Sequence, residues 1–125
     1  MLEFGARWDP QAFHIDEQAA ARSRFGGLVA SGIHSLSIMQ RLLVDGVFAD
    51  AAMIAGRGLR EVRLPRPVRP GATLTGQVTV TEHRVRAAGD AQLVLHGTLR
   101  DDDGEVVLSE LLEVLCALGG SRPDR

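Results

Sequence analysis

Lysine, asparagine and tyrosine are absent from the 125 residues, and cysteine and tryptophan occur once each. A lone Cys116 excludes an internal disulfide and any multi-cysteine metal site. The four histidines lack the paired spacing of metal ligands, so no metal is expected. No apolar run reaches the roughly 18 residues that a membrane span needs. The N-terminus lacks the basic-then-apolar order of a signal peptide. The expectation is a cytoplasmic chain with no membrane partner. Because lysine is missing, all 14 basic residues are arginine, and 16 acidic residues leave a net charge of -2. That balance gives no support for a nucleic-acid partner. A hydrophobic content of 45% implies a globular fold rather than disorder, and the length suits one domain.

The chain divides into two halves. Residues 1–50 read as helix and loop. An alanine-rich stretch over residues 17–24 has Asp16 as its N-cap, and Phe25-Gly26-Gly27 stops it. A longer helix is predicted over residues 32–44. Its apolar positions Ile33, Leu36, Ile38, Met39, Leu42 and Leu43 cover most of its circumference, which is the pattern of a buried helix. Residues 51–118 read as strands, over 58–64, 73–85, 92–100 and 105–118. A cluster of Pro65, Pro67 and Pro70 ends the first. Asp101-Asp102-Asp103-Gly104 forms the turn between the last two. Short turns join the last three strands, so an antiparallel meander is expected. One buried helix with a curved antiparallel sheet is an α+β roll. A single domain is expected over residues 1–118, with a frayed tail over 119–125.

The segment WDPQAFHID, residues 8–16, stands apart. Asp9 and His14 sit five positions apart on a short irregular stretch, and Asp-Pro disfavours helix at the aspartate. Trp8 and Phe13 flank them, placed to exclude water and adjust both pKa values. Taken singly, an Asp before Pro is usually a turn residue, and a lone histidine is more often a local hydrogen-bonding group than a catalyst. His34 reads as a satisfied buried histidine, His83 and His96 as structural or exposed, and Cys116 as core. Ser31 and Ser35 have no attached base pattern.

DPQAFHID, then FGGLVASG about ten residues later, the apolar helix after it, and LPRPVRPGATL between the strands occur in this order. In this combination the chain resembles the MaoC-like dehydratases, a hot-dog-fold group that includes (R)-specific enoyl-CoA hydratases. The resemblance covers nearly the whole chain. It implies that Asp9 and His14 are the catalytic pair and that Gly32 offers its backbone N–H to a thioester carbonyl. It places Ser31, Phe13 and Gln11 with Gly32 in the oxyanion and substrate-binding group. It also implies a reversible addition of water to a trans-2-enoyl-CoA or acyl-carrier-protein thioester, no cofactor beyond the substrate's own coenzyme A, and a homodimer. The chemistry fits the residue types. A carboxylate and an imidazole sharing one water can supply both base and acid, and an N–H at a helix start stabilises negative charge on the thioester oxygen. Arg66 and Arg69, on the proline-stiffened loop, are candidate contacts for coenzyme A phosphates, against a reading as solvated surface charges.

Two departures from the family stand out. Relatives usually carry some tens of residues, including a first strand, before the catalytic loop. Here Met1 falls at the short helix leading into that loop, so the sheet is expected either to lack that strand or to belong to a chain whose start lies earlier. Many hydratases have Asn-Pro where this chain has Gln11-Ala12, and some use a serine where it has Gln40. Gln11 is therefore expected to orient the loop. Two other activities suit the same fold: an acyl-CoA thioesterase, and a non-catalytic acyl-binding subunit that completes a heterodimer.

Overall fold

A computed structural model describes residues 1–118. The tail expected over residues 119–125 lies outside the described residues. Three short helices come first: α1 (Leu2–Trp8), α2 (Ala12–Ile15) and α3 (Glu17–Ala21). The long helix α4 (Gly32–Gly46) follows, then a 3-10 turn (Phe48–Asp50). Four strands complete the fold: β1 (Met53–Arg63), β2 (Thr75–Val85), β3 (Asp90–Arg100) and β4 (Val106–Ala117). They form one antiparallel sheet in the order β1-β4-β3-β2, so the expected meander β2-β3-β4 is present and β1 closes on β4. The fold is the α+β hot-dog arrangement.

Local chemistry explains most boundaries. Asp16 caps α3, its carboxylate accepting from the backbone N–H groups of Gln18 and Ala19 at 3.0 and 3.1 Å. Asp101 closes the β3–β4 turn by accepting from Asp103 and Glu105 N–H, both at 3.0 Å. β1 starts at Met53, five residues before the expected 58. Most of its residues are exposed on both faces, so it shows no apolar alternation, and pairing with β4 decides its extent. Between its paired residues Arg60 and Arg63 the register shifts, and Glu61 takes a left-handed φ of 51°.

The core lies between one stripe of α4 and the inner face of the sheet. Ser35, Met39 and Leu43 are the buried residues of the helix, and Met39 and Leu43 cluster with Val68, Leu99, Val107 and Leu108. Met39 is 1% exposed. A Cβ on Gly97 would lie 2.7 Å from Met39 Cε, so the absence of a side chain there is what admits the methionine. Four strands cover one side of α4 only. Burial on all sides, implied by the helix's composition, is therefore replaced within the chain by a buried stripe and an outward apolar face, on which Ile33 is 55% exposed. No described helix is long and apolar enough to cross a membrane.

Candidate active site

Asp9 stands at the C-cap of α1, with φ -155° and ψ 72°. Pro10 denies it the helical region, and α1 ends there. The chain turns at once: Gln11 N–H donates to the Asp9 carbonyl at 2.8 Å, and His14 N–H to the Gln11 carbonyl at 2.9 Å. The turn brings His14, five residues on and buried, back against Asp9. His14 Nε2 lies 3.4 Å from Asp9 Oδ2.

The other ring nitrogen is fixed. His14 Nδ1 is 2.7 Å from the Val29 carbonyl oxygen. A carbonyl only accepts, so Nδ1 carries the proton and, in the neutral ring, Nε2 presents a lone pair. Val29 is held in turn: its N–H donates to the Phe13 carbonyl at 3.2 Å, and Ala30 N–H donates to the Val68 carbonyl at 2.9 Å. Residues 28–31 thus bridge the catalytic turn to the proline-rich loop.

Two donors hold Asp9. The Ser31 hydroxyl donates to Oδ2 at 2.7 Å, and the Gln11 amide donates to Oδ1 at 2.8 Å. The Ser31 hydroxyl, then the Gln11 amide, hold the carboxyl below its ordinary pKa; partial burial opposes them, and His14 adds a smaller lowering. Gln11, expected to orient the loop, makes this one side-chain bond within it. Ser31 is placed differently from the substrate-binding position expected of it. Its hydroxyl is committed to Asp9 while its oxygen caps α4, accepting from Ile33 N–H at 3.3 Å.

Gly32 is the first residue of α4, and its N–H has no acceptor among the described residues. The side chain of Leu64 packs where a Cβ on Gly32 would stand. A cleft of about 290 Å³ opens at this point, lined by His14, Gly32, Ser35, Leu64, Arg66 and Val107 among others. A larger depression of about 490 Å³ on β2 and β3 is lined by Glu82, His83, Arg84, Gln92 and Val94. It lacks the free helix-start N–H that marks the smaller cleft.

The remaining expected residues divide. Phe13 sets its ring edge-on to His14, with centroids 4.5 Å apart and planes at 72°. Trp8 does not: it is 64% exposed and shields neither group, because the last turn of α1 aims it outward. Arg66 lines the cleft and pairs with Glu105 at 3.4 Å; both are about half exposed. Arg69 lies outside it, its Nη1 at 3.5 Å from the Gly27 carbonyl. Residue types and spacing missed the Val29 carbonyl, Ser35, Phe25 and Leu64. Backbone carbonyls carry no residue-type signal, and the other three look like core or loop residues until the fold places them at the cleft.

A family model described as "MaoC like domain" matches residues 1–98. The uncharacterized protein YdeM of Bacillus subtilis (strain 168) is 34% identical over 82 residues, 66% of this chain and 58% of that protein. The chain spans little more than half the length of the curated relatives it matches. The crystal structure of a MaoC-like dehydratase from Rhodospirillum rubrum superposes with a TM-score of 0.87 at 36% identity, covering 98% of this chain and 83% of that one. An (R)-hydratase from A. caviae involved in PHA biosynthesis superposes with a TM-score of 0.72 at 22% identity, covering 90% and 81%, and at that identity shares the fold.

Proposed function

The chain belongs to the MaoC-like domain family, and from that premise we propose that it adds water reversibly to a trans-2-enoyl thioester, giving a 3-hydroxyacyl thioester. The observation that carries this reading is one cleft lined by His14 and by Gly32, whose N–H is unengaged, with the Asp9 carboxylate 3.4 Å from the His14 Nε2 lone pair. A water held between Asp9 Oδ2 and His14 Nε2 loses a proton to the imidazole as its oxygen bonds to C3. The C2–C3 π pair moves toward the thioester oxygen, where the Gly32 N–H and the start of α4 stabilise the charge. The electron pair then returns to C2, which takes the proton from the imidazolium. Water has been added across the double bond, and both side chains end as they began. The step is redox-neutral, so it calls for no redox cofactor.

Arg66, at the cleft, is our candidate contact for a phosphate of coenzyme A. The outward apolar face of α4, with Ile33 and Val44 exposed, supports a homodimer as the working assembly. The test is the ultraviolet absorbance of crotonyl-CoA at the enoyl-thioester band, followed with wild type, Asp9→Asn and His14→Ala. Wild type consumes the signal, and each variant loses roughly 10²- to 10⁴-fold in rate. A folded wild-type protein that is inert on crotonyl-CoA and longer enoyl-CoAs overturns the reading. Release of free coenzyme A from a saturated acyl-CoA would replace it with a thioesterase.

A further inference from the structure

Ser31 is 2% exposed, and its hydroxyl makes two contacts of unequal length. It accepts from Ile33 N–H at 3.3 Å and donates to Asp9 Oδ2 at 2.7 Å. A serine that served only as an N-cap would need only the first of these. The second contact is the shorter and ends on a charged acceptor, the stronger class of hydrogen bond. It joins positions 22 residues apart in sequence. It also ends on the carboxylate oxygen that faces His14 Nε2.

We propose that Ser31 is a positioning residue: its hydroxyl fastens the Asp9 carboxylate to the first turn of α4, so that the base pair and the Gly32 N–H keep one fixed relation. The inference rests on the reading of Asp9 as the catalytic carboxylate. Its physical content is simple. Asp9 rides on α1 and Gly32 on α4, and Ser31 is the one side chain that hydrogen-bonds both elements among the described residues. With Oδ1 on Gln11 and Oδ2 on Ser31, the carboxylate plane cannot rotate, and the lone pair left on Oδ2 is aimed beside His14. His14 is the one titratable side chain within ion-pair distance of Asp9 among the described residues.

Two variants separate this role from helix capping. Ser31→Gly removes the donor while keeping a tolerated N-cap residue. Ser31→Cys keeps the volume with a weak donor. The carboxyl carbon of Asp9 is titrated by ¹³C NMR in both and in wild type, with Asp9→Asn giving the assignment. The expected result is an Asp9 midpoint moved upward in both variants and restored in Ser31→Thr. The kcat for crotonyl-CoA falls by about tenfold while KM changes little. An Asp9 midpoint unchanged in whichever of the two folds overturns the proposal and leaves Ser31 as a cap. The titration needs no turnover, so a wild type inert on enoyl-CoA would sink the hydratase reading without deciding this one.

Discussion

His14 Nδ1 lies 2.7 Å from the carbonyl oxygen of Val29, and that contact dictates which ring nitrogen is turned toward Asp9. With Nδ1 donating, Nε2 is the basic nitrogen of the neutral ring. The ¹⁵N shifts of a selectively labelled sample should show a protonated Nδ1 and an unprotonated Nε2 in the neutral form. The opposite tautomer would leave no lone pair for water and would remove the base from the proposed step.

Gln11→Ala deletes the second donor to Asp9. The Ser31 hydroxyl and then the Gln11 amide lower the Asp9 pKa, so each favours the ionised form. The folded-state value is depressed, so the carboxylate persists below the usual range and is lost only as pH drops through the depressed value. Removing Gln11 moves that midpoint to higher pH. The measurement is the ¹³C titration of the Asp9 carboxyl in wild type and variant; an unmoved midpoint contradicts the role given to Gln11.

Gly32→Ala tests the oxyanion position. Alanine favours helix over glycine by up to about 1 kcal/mol, and the new Cβ meets the end of the Leu64 side chain rather than backbone. The thermal midpoint should hold or rise. Alanine keeps the N–H, so the added Cβ acts by blocking the thioester oxygen's approach to it, and the rate should fall by up to roughly 10²- to 10³-fold, the scale of losing one oxyanion contact. Unchanged turnover would place the thioester oxygen elsewhere.

Met39→Ala empties the centre of the core. Met39 is 1% exposed and nests against Gly97. The loss should be about 2–5 kcal/mol in urea unfolding. A loss under about 1 kcal/mol would mean that the inner face closes over the gap.

Glu110→Gln probes a buried carboxyl on β4. Glu110 is 3% exposed, and burial raises its pKa above the ordinary glutamate value. Below the unfolded pKa both states hold the proton and nothing is lost. As pH rises past that value the unfolded chain ionises first, and the folded state loses stability until its own raised pKa is passed. The glutamine variant should therefore exceed wild type in urea midpoint at pH 8 by more than at pH 4. A difference independent of pH would rule out titration as the cause.

Sequence pattern carried the fold as far as burial is one-sided. Leu95 and Leu99 alternate along β3 because one face of that strand meets α4 and the other does not, and the strand was legible for that reason. β1 begins earlier than its sequence suggests, because a strand exposed on both faces has no period to read. The turn that carries Asp9 and His14 was legible from Asp-Pro and the five-residue step to His14. Its wiring was not. The bond from Ser31 to Asp9 joins residues 22 positions apart, and the Val29 carbonyl that orients His14 could belong to any residue type. Trp8 shows the same limit: an aromatic beside a catalytic residue in sequence points wherever its helix turn sends it.

The carboxylate and the imidazole ride on two short helices, of seven and four residues, whereas the four strands pair along nearly their whole lengths. Helices that short have little cohesion of their own and are held by what they lean on. Local opening of residues 1–16 would therefore need far less free energy than melting the sheet. Amide protons of α1 and α2 should exchange with solvent well before those of β3 and β4. Gentle heating or dilute urea would then part Asp9 from His14 while the strands were still intact, making the proposed site a more fragile property of this chain than its fold.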